Sequence, residues 1–428
     1  MKKQSLVKQT ALLSGANTAV RALGFVMRVW LSRVMGAEAM GVMELASSAH
    51  MLWIAPVTSG IPMAVSREAA AGHGEAALAA GRRLALRISL AMLPILLFAM
   101  PWIARFLGDG RTLPALLMYL PCLPILGLSA AYNGYCYGAG NTAPPSVSEL
   151  AEQLVRFSVC VAVLRGVTGM TAAWTAAVPP FATLVGEGMA LALIVWMLRR
   201  GGGAAGSAAC PCGALEKKIW KLAAPMTWMR VSNTLMRTFS AVIVPMQLRV
   251  SGLSAQEATA RLGMLSGMAM PLVMLPSVVT GAMAMVAGPA LARRESDPKA
   301  LKRVVARVLP ASLAISLSAA GLLVLLAPWA SKSLYRQPDL QALLKALWPL
   351  VPVMGVQQVT GGMLAGLGRQ RSALFASLAG ALLTLLLNYL LTPSYRLMGC
   401  AWAQIAGHTV TLLINLRVLI RNVRRERA

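Results

Sequence analysis

Long apolar runs separated by short charged clusters constrain this chain more than any other feature. A bilayer core about 30 Å thick is crossed by about 20 consecutive apolar residues in an α-helix. Soluble helices instead confine their apolar residues to one face. Only 13% of the 428 residues are charged and 57% are hydrophobic, whereas a typical soluble domain has about 25% charged residues. The expected fold class is therefore an all-α polytopic membrane protein. Twelve transmembrane helices are expected near 10–34, 41–65, 85–107, 113–138, 149–165, 170–198, 218–246, 262–289, 305–327, 341–366, 373–392 and 399–420. The first apolar segment carries Arg21 and Arg28 and lacks a cleavage site, so it reads as a retained helix and not a signal peptide.

The 40 Lys and Arg greatly outnumber the 14 Asp and Glu. These bases flank spans and form no contiguous patch, so nucleic acid is not an expected partner. One set of loops and termini holds 25 bases and the opposite set holds 9. The positive-inside rule then puts both termini in the cytoplasm, in a multi-pass protein of the cytoplasmic membrane. The Gly/Ala/Ser-rich stretch "RRGGGAAGSAACPCG" has the composition of a flexible linker. It divides the chain into an N-terminal six-helix lobe (1–200), a cytoplasmic linker (201–216) and a C-terminal six-helix lobe (217–428). Cys210-Pro-Cys212 supplies two thiols with no nearby His, half of a zinc site, so no metal or cofactor is expected.

The two lobes repeat. Pro121, Pro124, Gly127, Gly134, Gly138 and Gly140 are matched, at one constant offset, by Pro349, Pro352, Gly355, Gly362, Gly366 and Gly368. Asn17-Thr18-x-x-Arg21 is matched by Asn233-Thr234-x-x-Arg237, and Arg33-Val34-x-Gly36 by Arg249-Val250-x-Gly252, both at a second, slightly shorter offset. Half of the difference between the two offsets is visible directly, because Gly36 to Gly41 spans 5 residues and Gly252 to Gly263 spans 11. An offset of six helices keeps the halves parallel. Two pseudo-symmetric lobes around a central cleft are therefore expected, related by an axis along the membrane normal, as in transporters. Pro121, Pro124 and Gly127, with Pro349, Pro352 and Gly355, are candidate hinges. Proline breaks the helical hydrogen-bond ladder, and glycine lets helices approach closely.

An arginine at a helix centre costs roughly 2.5–3.5 kcal/mol on the insertion scale, so it normally faces water or a partner. Asn17, Arg21 and Arg28 share one face of the first span, and Arg230, Asn233 and Arg237 share one face of the seventh. If both faces line the cleft, the planar guanidinium forks suit a phosphate or diphosphate. The alternative for Arg28 and Arg230 is snorkelling to an interface or pairing with a buried acid. Glu44 in the second span is the acid available to a first-span arginine. Glu152 and Arg156 are four residues apart and suited to pair within one helix. Glu187 lacks a local partner and is either a cleft residue or a proton-titrating coupling group.

Several stretches resemble stage V sporulation protein B and related polysaccharide-biosynthesis membrane proteins. The clearest run is Ala224–Glu295, within it Gly267–Leu272 and Leu275-Pro276, together with "VTSGIPMAVSREAA" and "ELAEQLVRF". That family lies in the multidrug/oligosaccharidyl-lipid/polysaccharide exporter superfamily. The resemblance implies two six-helix lobes alternating between inward-open and outward-open states. It implies a lipid-linked saccharide as substrate, membrane lipid around it, and cell-wall or polysaccharide-synthesis enzymes as candidate partners. In the related lipid II flippases first-helix arginines hold the diphosphate, and Arg21 and Arg28 lie on the matching helix. The chain departs from relatives that carry an acid midway along helix 7, where Ser240 stands, and from those with two further C-terminal helices.

The function expected is a flippase for a lipid-linked oligosaccharide. A drug/cation antiporter of the same superfamily is the alternative, and it would favour an acidic or apolar cavity over arginines. A membrane enzyme acting on lipid-linked sugars would need acid/base groups on a sizeable outer surface. The outer loops hold only Glu38, Asp109, Glu257 and Asp339, so an enzyme is not expected.

Overall fold

The computed structural model describes residues 6–200, 212–292 and 297–425, and among them every regular element is helical. The α-helices are α1 (Leu6–Thr58), α2 (Gly60–Glu68), α3 (Gly74–Phe106), α4 (Leu113–Tyr119), α5 (Cys122–Gly138), α6 (Ala143–Gly166), α7 (Ala172–Arg200) and α8 (Cys212–Val250). They continue with α9 (Ala255–Leu262), α10 (Met270–Met274), α11 (Ser277–Ala292), α12 (Pro298–Trp329), α13 (Leu340–Ala346), α14 (Leu350–Gly366) and α15 (Gln370–Arg425). Among the described residues four helical stretches are long and apolar enough to cross a membrane, and up to seven if each bent pair is one span. The stretch Thr18–Phe106 holds the first three expected spans. They are divided at Gly36 (φ 75°) and Gly72 (φ 96°), where the backbone enters the left-handed region that glycine tolerates. In α15 the division falls at Arg396 (φ 51°), between the eleventh and twelfth expected spans. Two long helices, α6 and α8, miss the apolar criterion. They are the ones carrying Glu149, Glu152 and Arg156, and Arg230 and Arg237.

Three expected spans are bent pairs: α4 with α5 by 42°, α13 with α14 by 50°, and the α9–α10 run with α11 by 54°. Pro121 and Pro349 occupy the first two breaks, as their repeat suggested, and Pro276 the third. A proline nitrogen has no hydrogen to donate, so the ladder opens there.

Some boundaries differ from the sequence reading. The third span was expected to begin at residue 85, yet α3 begins at Gly74. Its added turns are held by packing: Ala77, Leu78, Ala80 and Leu84 are buried, and Gly81 meets Val65 of α2 and Ala131 of α5. Helix α6 starts at Ala143, six residues before the expected 149, with prolines in its first turn, where a missing N–H costs nothing. Helix α12 starts at Pro298, seven residues early, because Asp297 caps it, accepting from the backbone N–H of Lys299 and Ala300 at 3.0 Å each.

The chain packs into two compact units, Met1–Thr238 and Phe239–Ala428. The sequence placed the division at a linker, 201–216, whose residues 201–211 lie outside the described residues. The observed division falls inside α8, because the first half of that helix packs into the first unit. Ile219 and Ala223 are buried. Lys218 Nζ lies 2.8 Å from Glu68 Oε2, and Arg87 pairs with Glu216. Thr238 donates to the Ser48 carbonyl at 2.8 Å.

Each unit contains the same glycine-mediated contact. In the first, a Cβ on Gly134 would lie 2.8 Å from Pro62 Cα, and one on Gly138 would lie 2.7 Å from Ala69 Cβ. In the second, a Cβ on Gly362 would lie 3.0 Å from Ala284 Cα, and one on Gly366 would lie 2.6 Å from Gly288 Cα. Thus α5 rides on the α2 segment as α14 rides on α11. Gly127 and Gly355 also serve contact: a Cβ there would crowd Ala85 and Val57, or Ser316 and Thr280. Around these contacts lie apolar cores, with Met27, Leu31, Met40, Cys160 and Ala182 in the first unit and Leu291, Leu301, Val359, Met363 and Leu419 in the second.

Gly366→Ala should therefore destabilise the detergent-purified protein by about 1–3 kcal/mol, the usual cost of overpacking. Gly361→Ala, on the same helix with nothing within 4 Å, should be neutral or slightly stabilising. Thermal unfolding of the two variants, side by side, checks this.

Candidate functional site

The arginines on the first and seventh spans divide by their surroundings. Arg28 forms an ion pair with Glu44, both on α1 but on opposite sides of the Gly36 break. Arg21, Arg230 and Arg237 are exposed, and none has an ion-pair partner among the described residues. The repeat explains part of this. Arg21 and Arg237 correspond across the halves, whereas the same offset carries Arg28 onto the buried Val244. Arg230 also lacks a counterpart, since the offset carries it back onto Ser14, so of the two unmatched arginines only Arg28 is paired with an acid. Asn17 lies on the α1 backbone with its side chain outside the described residues, and Asn233 Nδ2 donates to the Met229 carbonyl at 3.1 Å.

Two faces of α8 have different tasks. Thr227, Thr234 and Thr238 form a buried stripe, and Thr234 bonds back to its own helix at the Arg230 carbonyl, 2.9 Å away. Such hydroxyls hydrogen-bond within the helix and let it pack closely. At 3.6 residues per turn, Arg230 and Arg237 are rotated by about 60–80° from that stripe. They stand on the flank of a packed helix.

The first unit also holds an interior polar cluster that the sequence reading did not assemble. Arg156 Nη1 lies 3.5 Å from Glu152 Oε1, the expected pair within one helix. The same guanidinium is within electrostatic reach of Glu187, His50 and Tyr119. Glu187 in turn lies within reach of Glu152 and Glu149. Helix α7 approaches α6 through Gly186, where a Cβ would lie 3.3 Å from Glu152 Cγ and 3.4 Å from Arg156 Cβ. Buried His50 stacks on Tyr119 (ring centroids 3.9 Å apart, 11° between planes), and Tyr119 Oη lies 2.9 Å from Ser47 Oγ. His50 Nδ1, Trp53 Nε1, Asn133 Oδ1 and Arg156 Nε are buried without a hydrogen-bond partner among the described residues. The signal was present in "ELASSAH", where Glu44, Ser47 and His50 recur every three residues in an otherwise apolar helix. Which neighbouring helices met that stripe was not visible in one sequence.

The second unit is polar in another way. His408 Nδ1 lies 2.7 Å from Gln357 Oε1, and Thr280 donates to Gln358 Oε1 at 2.7 Å. Its ion pair among the described residues joins Arg261 to Asp339 at 2.7 Å. In the first unit Arg111 pairs with Glu38 and with Asp109. The offset that relates Pro121 to Pro349 also relates Arg111 to Asp339. In each half the start of the fourth or tenth span is thus tied to the segment after the first or seventh, through Arg111 in one half and Asp339 at the equivalent position in the other.

Comparison with known proteins bears on these features. The sequence profile of the family described as "Polysaccharide biosynthesis protein" matches residues 6–295, more than half of the chain. The chain belongs to the polysaccharide biosynthesis protein family. A profile described as MatE matches residues 231–390. Stage V sporulation protein B of Bacillus subtilis (strain 168) is 26% identical over 449 residues, covering 97% of this chain and 83% of that protein. An inward-facing structure of a multidrug resistance MATE family transporter of the MOP superfamily shares the fold at 16% identity. Its TM-score is 0.79, covering 95% of this chain and 94% of that one. A MOP superfamily transporter from Pyrococcus furiosus Vc1 (DSM3638), described as having a binding pocket of reverse polarity, matches at 14% identity. Its TM-score is 0.65, covering 100% of this chain and 99% of that one. The protein is thus a multi-pass membrane protein of the polysaccharide biosynthesis family, with the fold of the MOP superfamily transporter structures.

Removing Arg156 would leave Glu149, Glu152 and Glu187 close together without their cation. Arg156→Met should lose about 3–5 kcal/mol, the cost of orphaning a buried charge. Adding Glu152→Gln should recover part of that loss. Thermal melts of the single and double variants test the coupling.

Proposed function

We propose that this polysaccharide-family transporter is a flippase for a lipid-linked oligosaccharide, a precursor of peptidoglycan or of a surface polysaccharide, in the cytoplasmic membrane with both termini in the cytoplasm. The observation that carries the reading is the set of exposed, uncompensated guanidiniums at Arg21, Arg230 and Arg237 on the first and seventh spans. Three fixed cations in an apolar setting favour an anionic head, and a diphosphate accepts bidentate bonds from more than one guanidinium. A cationic drug would be repelled by the same residues. Arg28, already paired with Glu44, tunes the site more than it binds. Asn17 and Asn233 contribute neutral polar groups to the same faces.

In this reading the six-helix lobes, 1–200 and 217–428, alternate their openings around the head group while the prenyl tail stays in lipid. The proline breaks at Pro121 and Pro349, with Pro124 and Pro352 in the following turns, serve as the joints. Gly127 and Gly355 keep the moving helices seated. Glu187 is the coupling group, supported by its place among Glu149, Glu152 and Arg156. Cell-wall or polysaccharide-synthesis enzymes are the partners this role calls for.

Depletion in the native host followed by mass spectrometry of lipid carriers should reveal an undecaprenyl-linked saccharide accumulating on the cytoplasmic side; a flat carrier profile would sink the reading. The double variant Arg21→Ala/Arg237→Ala, expressed normally, should lose at least about tenfold in transport, since each lost charge-assisted contact costs about 1.5–3 kcal/mol. Arg28→Ala should lose less than either single variant of that pair.

A further inference from the structure

The two halves differ at the ends of the first and seventh spans. At Gly36 (φ 75°) the chain turns straight into the next helix, but beyond Gly252 (φ 90°) it runs through an insertion before α9 begins. Ser254 opens α9 with a capping box, in which its hydroxyl accepts from the Glu257 N–H while the Glu257 carboxylate accepts from the Ser254 N–H. The insertion thereby builds one wall of a groove of about 530 Å³, lined by Met246, Arg249, Val250, Leu253, Ser254 and Ala255. All six residues belong to the second unit.

The groove is amphiphilic. Met246, Arg249 and Val250 are spaced i, i+3, i+4 and share a helix face. Met246 is 57% and Val250 67% exposed. Arg249 is exposed and has no ion-pair partner among the described residues. The acid nearest to it in sequence, Glu257, is engaged elsewhere. The Glu257 carboxylate is bonded by Ser254 N at 2.9 Å and Ser254 Oγ at 2.8 Å, and Arg261 and Arg396 lie within its field. Arg261 itself is committed to Asp339. What remains is one free guanidinium beside two exposed aliphatic side chains, at the end of a helix whose interior carries Arg230 and Arg237.

We propose that this groove is the outward-side seat of the transported lipid, with the diphosphate on Arg249 and the first isoprene units over Met246 and Val250. The proposal rests on the flippase reading and on the orientation given with it. It supplies a landing place for the head group after it leaves the Arg21/Arg237 site, and an apolar track for the adjoining tail. The first half lacks the insertion and with it the groove wall, so release is asymmetric between the lobes.

The test uses the full chain in nanodiscs with undecaprenyl diphosphate as probe, read by native mass spectrometry. The Arg21→Ala/Arg237→Ala protein should keep a weaker binding event. Adding Arg249→Gln should reduce that event about tenfold, the size of one charge-assisted bidentate contact. Arg249→Lys should lie between, and Met246→Ser/Val250→Ser should weaken the probe without affecting inorganic diphosphate. Residual binding that ignores Arg249→Gln, or that is absent altogether while wild type binds, overturns the seat and leaves the flippase reading standing. Displacement by an equal amount of phosphatidylglycerol also overturns it, marking a place for bulk lipid. Wild type that binds no undecaprenyl diphosphate removes both.

Discussion

Lipid cannot drive helices together by the hydrophobic effect, because its tails are as apolar as leucine. Helix association inside a bilayer then depends on how closely backbones can approach, and the architecture of each unit of this protein rests on that. Gly134 and Gly138 seat α5 on the α2 segment, and Gly362 and Gly366 seat α14 on α11, with Cα and carbonyl atoms of the partner helix directly beneath. The prolines just upstream break each of these spans immediately before the contact zone. The result in each unit is a span with a bent entry and a tightly seated body, built twice from the same residues.

Against that common frame the units have diverged in what they place inside. The first has charges: Arg156 among Glu149, Glu152 and Glu187, with His50 and Tyr119 stacked beside them. The second relies on neutral donors and acceptors, Gln357 with His408 and Thr280 with Gln358. The equivalent positions Arg111 and Asp339 both form ion pairs but carry opposite charges, Arg111 with Glu38 in one half and Asp339 with Arg261 in the other.

Much of the fold is legible in the sequence for a simple reason. A backbone in lipid must satisfy its own hydrogen bonds, so span length, apolarity and punctuation by Gly and Pro have one structural meaning each. The breaks at Gly36, Pro121 and Pro349 and the helix ends beyond Gly138 and Gly366 all stand in the sequence where they stand in the structure. The repeat at Gly127/Gly355 and its neighbours marks the packing contact in the sequence itself. Helix extensions were not legible where polar or small residues are held by tertiary contact. The first turns of α3 look like a loop until Ala77, Leu78 and Gly81 are seen packed under α2 and α5.

Local periodicity and the cost of charge in lipid were enough to fix the class of protein, the order of its spans, the repeat and the arginine faces at Arg21/Arg28 and Arg230/Arg237. Which of those arginines are spent and which are free emerged only from the folded chain. Glu44 reaches Arg28 because the chain folds back at Gly36, a relation across a bend that helical spacing cannot express. The gathering of Glu187 with Glu152 and Arg156 depended likewise on which face of α7 meets α6 at Gly186. The division of α8 between two units followed from Ile219, Ala223 and Thr238 finding partners far away in the chain. Pairing between distant segments is fixed by packing, and packing is settled by all the helices together.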